Sequence, residues 1–293
     1  MNAVPVLFFE GVVSRFFFKM ELSSGRALSG FPGHVASKVY AKRCRQYMCL
    51  RNGLLKGEGY LNCENQRVNI ETLGRKQLHY ITITVQADKE EYSTDPDAME
   101  RVLSATKGKH VLLCLQTPNI SEEIAKCVES IRLVFDLQVE AKITSDVLKV
   151  MRSCVEKNTL NKMFIAEDVE IAEGTAQLLV ALLKQKQFHT IFIHGKCTAA
   201  LTEIIASWWE NSEEMVGKMI SCKEEFSALQ LSSTEFPFEE CTEEEERDAQ
   251  RAYPFAADWP YITTKSVLRN QNGRAVYCFP ISTAAFKILV VFA

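Results

Sequence analysis

The chain is poor in the local patterns that announce a chemistry. It has no GxxxxGK[ST] loop, no GxGxxG after its first strand-like segment and no GxSxG elbow. Those patterns cradle a phosphate or expose a nucleophile, so their absence leaves no assembled catalytic constellation in view. Positive charge is not in excess either: 34 Lys and Arg stand against 37 Asp and Glu, a formal net charge of -3. Such a chain has no field to hold a phosphate backbone, and nucleic acid is not the expected partner. The one basic cluster, Lys38, Lys42, Arg43, Arg45 and Arg51, reads as a solvated helix face.

Long apolar runs are missing as well. The run 288–293 is far short of the ~20 residues that cross a bilayer, and the apolar stretch 4–13 has no basic lead and no small-residue cleavage site, so it does not read as a secretory signal. Cysteine is plentiful but unpaired in pattern: ten are spread between Cys44 and Cys278. Only Cys44 and Cys49 lie close together, and no second Cys or His pair follows within about 20 residues to complete a zinc site. Cysteines embedded in apolar runs, as Cys114 is, pack as small reduced hydrophobes. The expectation is a cytoplasmic or nuclear chain with no metal, no cofactor and no membrane partner. The sequon Asn119-Ile120-Ser121 then carries no weight.

What is present is an ordinary globular composition, 47% hydrophobic and 24% charged, that can bury a core without a staple. Residues 4–20 read as an apolar helix opened by Pro5, so apolar on all sides that it must be buried on more than one. Gly25, Gly30, Pro32 and Gly33 break the pattern, and residues 35–50 resume as a basic helix. Residues 51–75 are polar and glycine-containing and read as a connector with short extended pieces.

From residue 78 the pattern changes to strands and helices in turn. Residues 78–85 alternate β-branched and aromatic side chains, and strands are expected at 111–115, 133–139, 163–169, 190–194 and 219–222. Between them lie four amphipathic helices. One carries Ile124, Cys127, Val128 and Ile131 behind a Ser121 cap, the next Val147, Leu148, Met151 and Val155 behind Thr144. The third aligns Ala176, Leu179, Val180 and Leu183, and the fourth Leu201, Ile204, Ile205 and Trp208.

Strand starts recur every 22 to 30 residues, one strand and one helix per step. That recurrence admits a doubly wound sheet or an open array of leucine-rich-repeat type, whose repeats run ~20–29 residues. Spacing favours the array. Residues 232–250 form an acidic loop and short helix. Residues 266–279 carry Asn272-Gly273 between apolar flanks, a hairpin signal, and 288–292 read as a last strand.

The region boundaries expected are therefore 1–50, a helical segment; 51–75, a connector; 76–225, a β/α repeat region; and 226–293, an acidic loop with a C-terminal hairpin or cap. The most chemical segment is Ile193-His194-Gly195-Lys196-Cys197-Thr198, where a strand meets a helix. A helix N-terminus lowers a thiol pKa and attracts anions, so an α/β enzyme or small-molecule binder with its site at His194 and Cys197 is one reading. A turn in which Cys197 merely packs is the other. Trp209 follows the apolar stripe residue Trp208 and is the better surface anchor of the two. The aromatic and proline-rich stretch 253–261 suits a rigid binding loop or a cap equally.

Val4-Pro5, the apolar helix 8–18, Ala27-Leu28-Ser29-Gly30-Phe31 and Val35-Ala36-Ser37-Lys38-Val39-Tyr40 together resemble a degenerate F-box. Joined to the weak strand-and-helix repeat, the chain is similar to the nematode-expanded F-box-like proteins with leucine-rich-repeat-like C-terminal regions. The resemblance implies a non-enzymatic substrate receptor of a Skp–cullin–F-box ubiquitin ligase. Pro5, Phe8, Phe9, Val12, Val13 and Phe16 would bury against the Skp-type adaptor protein, and the repeat region would hold a protein substrate. Read from its residues alone, the same apolar segment also suits a cap on the β/α core, as terminal repeats require.

Overall fold

The computed structural model describes residues 33–35, 37, 43–62, 64–69, 71, 78–87, 95–166, 171, 173–195, 197–223, 238–245, 266–270, 272–280 and 288–292. The fold is mixed α/β, built on one open sheet of twelve strands. In chain order they are β1 (Cys44–Arg51), β2 (Leu54–Asn62), β3 (Leu78–Gln86), β4 (His110–Leu115), β5 (Val134–Val139), β6 (Lys162–Ile165), β7 (Thr190–Ile193), β8 (Met219–Cys222), β9 (Glu239–Glu240), β10 (Ser266–Arg269), β11 (Ala275–Pro280) and β12 (Ile288–Phe292). Their order across the sheet is β2-β1-β3-β4-β5-β6-β7-β8-β12-β11-β10-β9. From β1 through β3 to β8 all neighbours are parallel, and antiparallel strands finish both ends.

Among the described residues the α-helices between β3 and β8 are α1 (Pro96–Thr106), α2 (Glu122–Ser130), α3 (Ser145–Glu156), α4 (Glu173–Leu183) and α5 (Thr198–Glu210). Local chemistry starts them where expected. Ser121 Oγ accepts from Ile124 N at 3.3 Å and Thr144 Oγ1 from Val147 N at 3.4 Å, each taking up a helix N–H that has no partner inside the helix. At α1, Asp95 caps and Pro96 supplies the preset φ of a first helical residue.

Strands β3 to β8 follow one another without the reversal of order that a doubly wound sheet requires. Each crossover therefore steps the same way, and each helix packs beside the next, α1 on α2 through to α5. Helices in one row cover one face of the sheet. The core lies between: Met48, Ile83, Leu113, Leu137, Met163, Ile191, Ile220, Val290 and Cys278 are successive register partners across nine strands, none more than 1% exposed.

The N-terminal part corrects the sequence reading. Residues 44–50, expected as the end of a basic helix, form β1 together with Arg51: Cys44, Gln46, Met48 and Leu50 are buried, whereas Arg45, Tyr47 and Cys49 are half-buried and Arg51 is exposed. This period of two is a strand's. Arg45 and Arg51 are accordingly on a sheet face rather than a helix face. The expected connector contains β2, nine residues antiparallel to β1, and one of its glycines, Gly59, has a packing reason. A Cβ at Gly59 would come within 2.8 Å of the Tyr47 ring. The segments expected as connector, repeat region and cap all contribute strands to the same sheet. The hairpin at β10 and β11 and the final strand β12 form as expected. The apolar helix at 4–20 and most of the acidic stretch 232–250 lie outside the described residues.

Candidate functional site

The other face of the sheet is the place where polar and aromatic side chains gather. Between β1 and β7 its residues are half-buried in the main: Tyr47, Tyr80, Thr82, Leu112, Asp136, Gln138, Lys162, Phe164 and Phe192. Toward the C-terminal end the same face closes, and Ser221, Leu289, Val291 and Val267 are fully buried. The open part thus spans the parallel strands.

A row of side chains crosses it where those strands end. Arg51 Nε and Nη2 donate to Gln86 Oε1 at 3.3 and 3.1 Å. The Gln86 amide nitrogen donates on to Gln116 Oε1, and Gln116 Nε2 donates to Glu140 Oε2 at 2.7 Å. A guanidinium can only donate and a carboxylate can only accept, so the two ends dictate which way both amides point. Main-chain bonds hold the row in register: Gln116 N reaches Val85 O at 2.9 Å and Glu140 N reaches Leu115 O at 2.8 Å.

The surroundings are set by this row. Cys114, buried between the strands, has its thiol pushed up to about 12, first by burial and then by the charge of Glu140 and a hydrogen bond to it. The neutral thiol is therefore the favoured form at neutral pH. Nearer the strand starts, Arg45 Nη1 donates to Thr82 Oγ1 at 3.2 Å and Nη2 to Asn65 Oδ1 at 3.0 Å. His110 stands edge-on to Phe135, ring centroids 5.2 Å apart, and burial lowers its pKa. Phe164 packs on His194 at 4.8 Å. The face offers charges of both signs, neutral hydrogen-bonding groups and aromatic surface.

No family model, curated protein or solved structure matches this chain. The site is therefore read from its own geometry.

The residues singled out by sequence fall in three places. Pro5, Phe8, Phe9, Val12, Val13 and Phe16 lie outside the described residues, as does the stretch 253–261. Trp209 is half-buried on α5, its ring 6.3 Å from that of buried Trp208. His194 and Cys197 differ in their surroundings. His194 continues the open face beside Phe164, while Cys197 is buried among core side chains at the start of α5, on the helix-covered side. Among the described residues no group of three His, Cys, Asp or Glu is placed to hold a metal, and no helix is long and apolar enough to cross a membrane.

Gln86, Gln116 and Glu140 were not singled out by sequence. The signal was there: each is the polar residue that directly follows a buried strand end, Val85, Leu115 and Val139. Each looked like an ordinary strand boundary because their meeting depends on parallel register.

Proposed function

We propose that this chain is a non-enzymatic protein-binding scaffold, the substrate receptor of a Skp–cullin–F-box ubiquitin ligase, acting in the cytoplasm or nucleus. On this reading the β/α units are a degenerate leucine-rich-repeat-like array, and the protein substrate docks on the sheet face that the helices leave uncovered. The N-terminal segment, through Pro5, Phe8, Phe9, Val12, Val13 and Phe16, is the adaptor-binding F-box-like part.

The observation that carries the reading is the one-sided layering. Helices stacked in chain order cover one face of a long parallel sheet, and the opposite face presents the row from Arg51 to Glu140 with Tyr47, Phe164 and Phe192 beside it. Mixed charge with aromatic surface suits a protein partner better than a polyanion. Such a receptor needs no reactive group of its own, because it works by holding a target near a separate conjugating enzyme and raising its effective concentration.

The test uses the intact chain and purified Skp-type adaptor. Replacing Phe8 and Phe16 together by Asp should abolish adaptor recovery in a pulldown while leaving the circular dichroism spectrum unchanged. Equal recovery of adaptor by both proteins, or none by the unaltered chain, would remove the ubiquitin-ligase part of the proposal.

A further inference from the structure

The rim at the other end of the strands carries a repeated hydrogen-bond arrangement. The Val128 carbonyl at the end of α2 accepts from Ile131 N at 3.1 Å and from Lys157 Nζ at 2.8 Å. One unit on, the Val155 carbonyl of α3 accepts from Asn158 N at 3.1 Å and from Gln185 Nε2 at 2.7 Å. One unit further, the Gln185 carbonyl after α4 accepts from Phe188 N at 3.2 Å and from Lys218 Nζ at 2.8 Å. In each case one carbonyl takes a backbone bond from three residues ahead and a side-chain bond from the following unit.

The donors also connect to one another. Lys218 binds three carbonyls of one turn, Gln185, Lys186 and Phe188, at 2.8, 3.1 and 2.6 Å. Gln185 belongs to that turn, and its side chain holds the turn after α3. Lys157 belongs to the turn after α3, and its side chain holds the end of α2. Lys218 is itself fastened by the last strand, since Gly217 N donates to Phe292 O at 2.9 Å and Phe292 N to Lys218 O at 3.1 Å. Carbonyls at a helix C-terminus have no partner inside the helix and carry the negative end of its dipole. A buried ammonium there satisfies several at once, and its own three donors are met, which offsets the burial that lowers the Lys218 pKa.

We propose that Lys218, Gln185 and Lys157 form a latch line, which couples order at the C-terminal strand β12 through the turns after α4 and α3 to the end of α2. Each latch depends on the turn that carries it, and that turn depends on the unit that follows. Such coupling is reciprocal and weakens with each latch crossed; removing the Lys157 side chain leaves the Gln185 and Lys218 bonds themselves in place. The line therefore couples a distant strand to one rim of the array through a chain of linked turns.

Native-state hydrogen exchange on the full chain, read by peptide mass spectrometry, tests this. Lys218→Met removes three charge-assisted bonds to 184–188 and should accelerate exchange there by at least about tenfold, the size of a single such bond, and at 155–158 by a smaller factor. Gln185→Leu should accelerate 155–158 most and 128–131 less, and 184–188 also loosens because Gln187 Nε2 loses its bond to Gln185 Oε1. Lys157→Met should act most at 128–131 and by smaller factors at 155–158 and 184–188. A purely local response to both Lys218→Met and Gln185→Leu, or a larger effect of Lys218→Met at 128–131 than at 184–188, overturns the proposal. Since Gln185→Leu keeps the Lys218 cage intact, it decides the matter even if Lys218→Met unfolds the chain.

Discussion

Gln116 donates its amide to the Glu140 carboxylate at 2.7 Å across the gap between β4 and β5, and this bond fixes a negative charge at the end of the amide row. Beneath it is Cys114, whose thiolate that charge opposes.

Glu140→Gln should therefore lower the Cys114 pKa from about 12. It should stay above the ordinary thiol value, because burial is the larger cause. The pH dependence of Cys114 alkylation, followed by mass spectrometry, measures this; a profile that does not move would mean that the carboxylate does not face the thiol.

Leu137 is the fourth of the nine members of the buried row that runs from Met48 to Cys278, between register partners Leu113 and Met163. Leu137→Ala should cost about 2–5 kcal/mol by removing buried methyls and leaving a cavity. In urea the midpoint should fall with the slope unchanged. A loss under about 1 kcal/mol would show that the sheet and helices collapse onto the gap.

Acid should loosen the C-terminal edge in a defined window. Glu245 accepts from Thr242 N at 3.0 Å and pairs with Arg269, and the Arg269 bond, followed by those from Thr242, holds its carboxyl at about 2. A depressed carboxylate stabilises the folded state above the unfolded-chain value near 4.5 and loses that contribution as pH falls from there toward 2. The stability difference between the unaltered chain and Glu245→Gln should thus be full at pH 7 and vanish near pH 2. A difference that is constant over this range would contradict the assignment.

The hairpin between β10 and β11 needs Gly273, whose φ is +74°. Asn270 organises the loop, its Oδ1 accepting from Asn272 N at 3.0 Å and Arg274 N at 3.1 Å. A Cβ at Gly273 meets nothing within 4 Å, so the cost of Gly273→Ala is conformational alone, about 1 kcal/mol. Thermal unfolding should register it as a drop of a few degrees, and an unchanged midpoint would count against the left-handed turn.

Much of the β/α part was legible before any coordinates. Period-two alternation at 78–85 and the apolar stripes behind Ser121 and Thr144 report local geometry, and local geometry is what a side-chain pattern encodes. Cys44–Arg51 misled for a related reason. Its buried positions include Cys44 and Gln46, so a period of two was hidden by polarity, and the arginines resembled a solvated helix face. β2 was hidden by Gly57 and Gly59, which are poor strand formers in isolation; Gly59 is explained by the Tyr47 ring above it.

By itself, then, the sequence determined that strands and helices alternate from residue 78, where two of the helices are capped, and that a hairpin and strand close the chain. Tertiary structure alone decided that β3 to β8 lie in chain order with their helices on one side, because the direction of each crossover is set by packing against a neighbour and leaves no local signature. The same holds for the meeting of Arg51, Gln86, Gln116 and Glu140, and for the Lys157, Gln185 and Lys218 latches. Residues some 30 positions apart come together only when parallel register brings equivalent points of successive units side by side.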